Sequence, residues 1–330
     1  MPALSSSVIT DAILKACDDS GAPAALLSKS TKNPRKLVLA TNAGPTEVWV
    51  YAWTLTHGGR PALPFEYRVQ KTGVTSPLPL NANGPTVLIG FEPNRGAFAG
   101  FDLVQHKVFT PGSPSAQIDI RALDRALTDG LGFDKKAKNE IAIGIRTDLF
   151  VGYMLSARDL HRYGSGAAMY KAFESIVTTT PSQQQSIPLL SGARKRIAIT
   201  ITKLVRDARF RMTVLGAYDH RCAVTRTQLK LVDAAHILPV GVPGSTDSVT
   251  NGVCLSPTYH RAFDSGLIYL DRTFCMHLNR KKSSELSALG LGAGLTAFAA
   301  DLGKPIHLPV DHQQRPNQAL IDQANYARGI

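Results

Sequence analysis

The amino-acid sequence predicts an α+β protein built from two domains. Its 330 residues suffice for about two domains, and 44% apolar with 19% charged residues is an ordinary globular composition. A polar stretch of low complexity, TTTPSQQQSIPLL, separates a strand-rich first part from a basic second part. We therefore expect a first domain at residues 1–180, a linker at 181–191 and a second domain at 192–330.

The elements of the first domain follow from hydrophobic patterning. Helices are predicted over residues 8–17 and 120–132, and the second helix is expected to end at Gly132. Runs of β-branched and aromatic residues between Gly, Pro and Asn turns predict strands at 36–41, 47–56, 65–72, 86–92, 98–104 and 141–146. The first domain is thus expected to be a mixed sheet with helices.

The second domain opens with the most basic stretch of the chain. Residues 192–211 hold seven Lys/Arg against one acid, Asp207, and their apolar positions fit a helix with one buried stripe. A net charge of +12 and a pI near 9.6 also favour a polyanionic partner, most often nucleic acid. We expect phosphates to contact the exposed arc of this helix through Arg194, Lys195, Arg196, Lys203 and Arg206.

Several classes of protein are disfavoured. Apolar runs such as TVLIGF are far shorter than the roughly 20 residues of a membrane span. The first residues lack the basic start of a secretory signal, and four cysteines do not make a disulfide scaffold. We therefore expect a cytoplasmic protein without a membrane partner. The motifs HExxH, GxSxG and GxxxxGK[ST] are absent, which argues against a zinc protease, a serine hydrolase and an ATP-driven translocase.

Residues 217–271 carry the residues suited to chemistry. In order they predict a short strand with His236 near its end, a polar loop, a second short strand after Asn251, a helix opened by a Ser-Pro pair, and a third strand. His260 and Asp264 lie four residues apart on one face of the helix. Neutral imidazole is a suitable general base, and a His/Asp pair suits one divalent ion. The pattern therefore favours hydrolysis of a phosphodiester.

The segments AAHILP and NGVCLSPTYHRAFDSGLI resemble the HNH nucleases. More narrowly, the basic helix and the AYDHRCAVT entry resemble a restriction-endonuclease branch of that family, and GKPIHLP and QQRPNQALI are similar to its closing strand and helix. The resemblance spans residues 192–328. It implies a ββα-metal fold, one catalytic divalent ion per active site (Mg²⁺ or Mn²⁺), and cleavage of double-stranded DNA.

The resemblance also implies roles for individual residues. His236 takes the position of the general base, and Asn251 that of the residue that braces the loop and orients the base. His260 takes the position of a metal ligand on the helix, and Asp264 falls where some members place a second one.

Two departures from the family pattern concern metals. Many members have a metal-binding acid or His directly before the base, where this chain has Ala235. Asp233 lies two residues earlier on the same strand face, so either Asp233 or Asp264 would complete the metal site. The paired CxxC motifs of some members are missing around Cys222 and Cys254, so no structural zinc is expected.

The first domain is interpreted as the part that recognises DNA or senses a signal, because phosphate contacts alone do not specify sequence. Its polar segment at residues 56–73 offers Arg60, Arg68 and Gln70 to base edges. The alternating aromatic residues Trp49, Tyr51 and Trp53 share one sheet face. Either they belong to the core, or they line a pocket for a flipped, modified base.

These patterns lead to one leading hypothesis and two rivals. The leading hypothesis is a restriction-type endonuclease that reads a DNA sequence or a modified base and acts as a homodimer, since one such site cuts one strand. The first rival is a defence effector nuclease gated by a small-molecule signal. The second is a DNA-binding protein without catalytic activity, which is favoured by Ala235 because alanine cannot bind a metal at that position.

Overall fold

The computed structural model of the protein describes residues 3–41, 44–110, 114–137, 139–178 and 190–330. Contacts divide the chain into two compact units, Met1–Ala208 and Arg209–Ile330. Most of the predicted linker at 181–191 lies outside the described residues. The two units are described separately below.

The first unit contains a seven-stranded and a three-stranded sheet. In chain order its strands are β1 (Ala24–Leu26), β2 (Arg35–Thr41), β3 (Gly44–Thr54), β4 (Thr56–His57), β5 (Glu66–Gln70), β6 (Thr86–Glu92), β7 (Ala97–Phe101), β8 (Ser115–Asp119), β9 (Leu131–Lys136) and β10 (Glu140–Ile145). The larger sheet has the order β1-β2-β3-β6-β7-β10-β9, antiparallel except between β3 and β6. The smaller sheet has the order β4-β5-β8.

The helices of this unit are α1 (Ser6–Asp19), α2 (Leu103–His106), α3 (Arg121–Asp129), α4 (Phe150–Gly164) and α5 (Ala167–Thr178). Helices α1, α4 and α5 contribute to the main core together with alternate residues of β3, such as Val48 and Val50. Tyr51 and Trp53, on the opposite face of β3, lie in a second core shared with β5, β8 and α3. Alternation along β3 thus serves two cores, one on each face of the larger sheet.

The aromatic residues of β3 differ in burial. The Tyr51 hydroxyl donates to the Pro79 carbonyl at 2.8 Å, and Trp53 Nε1 donates to the Thr72 carbonyl at 3.0 Å. Both rings are buried in the second core. Trp49 is half-buried, with Lys36 Nζ 4.3 Å from its ring. The contacts of Tyr51 and Trp53 therefore agree with the core interpretation.

Two predicted boundaries in this unit were wrong. The helix predicted to reach Gly132 ends at Asp129, because Gly130 takes a φ of 95°. Gly132 instead lies in β9, where a Cβ would collide with the carbonyl oxygen of Ala122. The strand predicted over 98–104 ends at Phe101, because the side chain of Asp102 accepts from Val104 N and starts α2.

The predicted basic helix is α6 (Gly192–Ala217). Its residues up to Ala208 are grouped by contacts with the first unit, whereas we placed the second domain from residue 192. Ile197 and Ile201 are buried in the main core of the first unit. Phe210 and Val214 are buried in the core of the second unit.

The second unit continues with β11 (Asp233–His236), β12 (Gly252–Leu255), α7 (Pro257–Asp264), β13 (Ile268–Leu270), β14 (Cys275–Leu278), α8 (Arg280–Ala288), α9 (Leu295–Ala299), β15 (Lys304–Pro305) and α10 (Gln318–Ala327). Strands β11 and β12 form one sheet, and β13, β14 and β15 form another. The predicted α+β class is confirmed. Within the described residues, none of the helices has the length and apolarity that crossing a membrane requires.

Candidate active site

A short strand pair and the helix after it build the site. Strand β11 is antiparallel to β12, with His236 opposite Gly252 and Asp233 opposite Leu255. Residue 252 must be glycine because a Cβ there would collide with Val214. Helix α7 follows β12 directly, with proline in its first turn. The chain thus brings the start of β11 next to α7.

His260 on α7 lies between two carboxylates. Its Nδ1 is 3.7 Å from Asp233 Oδ2, and its Nε2 is 3.3 Å from Asp264 Oδ2. Arg211 of α6 approaches the other oxygen of Asp233, with Nη1 2.9 Å from Oδ1. The structure therefore brings together three residues that we predicted and adds a cation that we did not.

Neighbouring charges set the protonation of this cluster. The adjacent imidazole of His260, followed by the hydrogen bond from Arg211, lowers the pKa of Asp233 to about 2, although burial acts in the opposite direction. The adjacent carboxylate of Asp233 raises the pKa of His260, and the charge of Asp264 adds to this effect. The two carboxylates thus stabilise the imidazolium form of His260 relative to that of a free imidazole.

His236 is fixed from two directions. Its Nε2 lies 3.0 Å from Asp247 Oδ1. Its ring stacks on Phe210 of α6, with 3.7 Å between centroids and 11° between planes. Because a carboxylate accepts at Nε2, the proton is assigned to that nitrogen and the lone pair to Nδ1. No hydrogen bond joins Nδ1 to another described residue.

Asn251 is fully buried and closes the loop between the two strands. Its Oδ1 accepts from Leu238 N at 2.8 Å, and its Nδ2 donates to the Thr246 carbonyl at 2.8 Å. Its own carbonyl accepts from Ile237 N at 2.8 Å. These bonds fix the chain directly after His236.

The predicted residues form two groups. No hydrogen bond or ion pair within the described part joins His236 to Asp233, His260 or Asp264. Ala235 is completely buried in the core of the second unit.

The predicted phosphate contacts of α6 differ in exposure. Arg194, Lys195, Arg196 and Lys203 are exposed, whereas Arg206 is half-buried and lies 3.9 Å from Asp207. The exposed four meet the first requirement for contact with a polyanion.

The predicted base-reading residues lie on and beside the smaller sheet. Arg60 forms an ion pair with Glu66, with 3.1 Å from Nε to Oε1. Arg68 is half-buried on β5, paired with Gln117 of β8, and Gln70 is exposed at the end of β5. Arg68 and Gln70 share one sheet face, while Arg60 already has an acidic partner.

Three residues of the site were not predicted as functional. Arg211 belongs to the basic stretch that we assigned to phosphates, Asp247 lies in the polar loop, and Phe210 was counted as an apolar helix position. Their partners are Asp233 and His236, between 11 and 26 residues away in the sequence. The polarity of Asp247 inside a loop that ends at Asn251 was the one signal available.

Comparison with known families fits this geometry. Residues 222–271 match a family model described as HNH endonuclease. The second unit contains an HNH endonuclease domain. Residues 46–154, in the first unit, match a model described as Methylase-associated X1. The match across β11, β12 and α7 supports a nuclease of the HNH type.

Comparison of the whole chain with known proteins finds only low similarity. One solved structure, titled "Modification dependent TagI restriction endonuclease", is 13% identical, with a TM-score of 0.28 over 88% of this chain and 84% of that chain. No curated protein matched the chain.

The cluster around His260 in the HNH domain suits a divalent cation. A ring nitrogen and a carboxylate oxygen 3.3 Å apart have about the separation of two ligands of one ion. Asp233 and Asp264 face different ring nitrogens, so one ion bound to His260 would meet only one of them. Arg211 already neutralises Asp233, whereas the Asp264 side chain is 60% exposed. The donor set therefore fits best at His260 Nε2 and Asp264.

Proposed function

We propose that the protein is a metal-dependent endonuclease that hydrolyses phosphodiester bonds of double-stranded DNA through its HNH domain. The observation that carries this proposal is the state of His236: Nε2 is occupied by Asp247, the ring is stacked on Phe210, and Nδ1 is left to accept a proton. A general base needs such a fixed ring and available lone pair.

In the proposed reaction, His236 Nδ1 takes a proton from the attacking water. Asp247 accepts the Nε2–H hydrogen bond throughout and stabilises the imidazolium that forms. Asn251 holds the chain after His236, so the ring keeps its position relative to the loop. These three residues thus deprotonate the attacking water and hold the base in position.

His260 and Asp264 would hold one divalent ion, Mg²⁺ or Mn²⁺, together with water molecules. The ion, when bound, supplies positive charge to the scissile phosphate and the leaving oxygen. Asp233 forms an ion pair with Arg211 and positions the His260 ring from its Nδ1 side.

We further propose that the first unit reads a DNA sequence or a modified base, and that two chains act together to cut both strands. Arg68 and Gln70 on one face of the smaller sheet offer the donors and acceptors that base edges require. The name of the family matched by residues 46–154 links that family to methylases. The exposed cations of α6 supply contacts to phosphates.

A second candidate function, a nuclease gated by a small-molecule signal, is favoured by a cleft in the first unit. Its volume is about 740 Å³, and its lining holds three cations, Lys107, Arg158 and Arg162, beside the two carboxylates of Asp102 and Asp159. A cleft of this size can hold a drug-sized or nucleotide-sized anion.

Plasmid cleavage tests the proposal. Full-length protein is incubated with unmodified and with methylated plasmid, in Mg²⁺, in Mn²⁺ and in chelator, beside His236→Ala. We expect discrete fragments that require the ion and His236. Smearing that requires an added nucleotide would support the gated nuclease instead. Cleavage retained by His236→Ala, or cleavage in chelator, would contradict the proposed mechanism.

A further inference from the structure

A second group of metal-type ligands lies on the β13–β14 hairpin of the HNH domain. Asp271 follows β13, Cys275 opens β14, and His277 lies two residues further on the same strand face. One ligand atom from each residue lies within 4.8 Å of the other two. All three side chains are partly exposed, so an ion can reach them.

The hairpin prepares Asp271 for this position. Its Oδ1 accepts from Thr273 N at 2.8 Å and from Cys275 N at 2.9 Å. These bonds fix the carboxylate and direct Oδ2 to His277 Nε2, 2.7 Å away. Among the described residues none forms a hydrogen bond with Cys275 Sγ.

The chemistry of the three donors selects the ion. A thiolate and an imidazole are ligands of borderline-soft metals, whereas Mg²⁺ and Mn²⁺ prefer oxygen. Bonds of roughly 2.0–2.3 Å to zinc separate two tetrahedral ligands by roughly 3.5 Å. The Asp271–His277 pair needs to open only slightly from its hydrogen bond to reach that spacing.

We propose that Asp271, Cys275 and His277 form a zinc site, separate from the catalytic ion and with water as the fourth ligand. On binding, the Cys275 thiol releases its proton to solvent, and neutral His277 carries its ring proton on Nδ1 so that Nε2 binds the metal. The ion would join the two strands of the hairpin. Helix α10 packs here, since Asn325 Nδ2 donates to the Leu270 carbonyl at 2.8 Å.

This site escapes the usual sequence criteria. The spacing D-x₃-C-x-H contains no CxxC pair, and our expectation of no structural zinc rested on cysteine pairs. The other three cysteines, Cys17, Cys222 and Cys254, are buried, and Cys275 is the accessible one.

The first experiment needs no variant. The full-length protein is stripped with chelator, and Cys275 alkylation is followed by mass spectrometry with and without one equivalent of Zn²⁺. Titration of the same protein with Co²⁺ monitors the thiolate-to-metal absorption band. We expect Zn²⁺ to slow alkylation at least tenfold and Co²⁺ to produce the band at one ion per chain. Unchanged alkylation, or no band, would overturn the proposal and leave a hydrogen-bonded hairpin.

Variants then locate the ligands. Cys275→Ser and His277→Ala should abolish the Co²⁺ band and the rise in melting temperature on adding Zn²⁺. The controls are His260→Ala, which removes the candidate catalytic ligand, and His312→Ala, which removes an exposed histidine elsewhere in the HNH domain. Both controls should keep the band. A band retained in both Cys275→Ser and His277→Ala would place the thiolate ligand elsewhere and overturn the proposal. DNA cleavage is not a readout, so this result is independent of the proposed nuclease activity.

Discussion

His236 illustrates how one side chain is prepared by its contacts. Phe210 restricts the tilt of the ring, and Asp247 restricts its rotation and assigns its tautomer. A histidine without these contacts would sample several orientations, of which few present Nδ1 to a water. These contacts fit the general-base role that we propose for His236.

Replacing Asp247 tests that interpretation. We expect Asp247→Asn to lower kcat for DNA cleavage on the order of 100-fold, because an amide stabilises the imidazolium less well than a carboxylate. DNA binding should be unchanged. Asp219→Asn, an exposed loop aspartate of the same unit, is the matched control. The measurement is single-turnover cleavage beside a binding titration, and equal rates for the two variants would contradict the assigned role.

Asp233 predicts a dependence of stability on pH. Its folded pKa near 2 lies below the roughly 3.9 of an unfolded aspartate, so it stabilises the fold above about pH 4. That contribution is lost as the pH falls toward 2. His260 has a raised pKa and acts oppositely: its contribution is present below the unfolded pKa and is lost as the pH rises through the folded value.

Asp233→Asn should therefore flatten the loss of unfolding free energy between pH 5 and pH 2, whereas Asp301→Asn, an exposed residue, should not. The measurement is chemical denaturation at each pH in the presence of chelator. Parallel curves for wild type and Asp233→Asn would show that the ion pair with Arg211 does not couple to folding.

At the scale of elements, the loop between β11 and β12 depends on one buried amide. Asn251→Ala should lower the free energy of unfolding by about 1–3 kcal/mol, because it leaves Leu238 N and the Thr246 carbonyl without their partner. Urea denaturation measures the change. Thr246→Ala, a change in the same loop at an exposed side chain, should have a smaller effect, and the reverse order would contradict the bracing role.

Helix α6 predicts a salt effect. Arg196→Ala with Lys203→Ala should weaken binding to every DNA sequence and reduce the slope of log K against log salt by about 2, at roughly 0.9 per phosphate contact. Lys29→Ala with Lys32→Ala removes the same charge from exposed positions elsewhere in the first unit. Binding titrations from low to high salt provide the slopes. If both double variants behave alike, net charge and not the helix determines the slope.

Elements with strong periodic patterns were predictable from the sequence, and short or polar ones were not. Strands β2, β3 and β6 and helix α1 lie within a few residues of the predictions because each carries a clear apolar pattern. Strand β9 begins Leu-Gly-Phe and continues into Asp-Lys-Lys, so its pattern is interrupted. It forms a hairpin with β10, and the strand was not predicted because its apolar pattern breaks off before the turn.

The candidate site was likewise predictable only where a local sequence pattern carries the information. His236, Asn251, His260 and Asp264 were identified because residue type and order within one segment carry the information. Arg211 and Asp247 were not, because their contacts arise only when α6 and the loop fold against β11 and α7. The contacts that fix the candidate residues are therefore the part of the site that could not be predicted without coordinates.

At the scale of the whole molecule, one HNH domain per chain predicts a division of labour between two chains. Mixing wild type with excess His236→Ala should convert linear plasmid product into nicked circles, because mixed dimers cut one strand. Gel analysis across mixing ratios measures the conversion. A fall in linear product without nicked circles would contradict joint action of two chains.

The burial of Ala235 has a consequence for protein engineering. Many of the HNH nucleases that this chain resembles have an acid or a histidine at the position of Ala235, and restoring one here is an obvious route to tighter metal binding. Since the Ala235 side chain is enclosed by apolar neighbours, Ala235→Asp would instead bury a carboxylate without a counter-ion, at a cost of several kcal/mol. Gains in metal affinity are better sought on the solvent side of α7, where a new ligand would be hydrated and free to adjust.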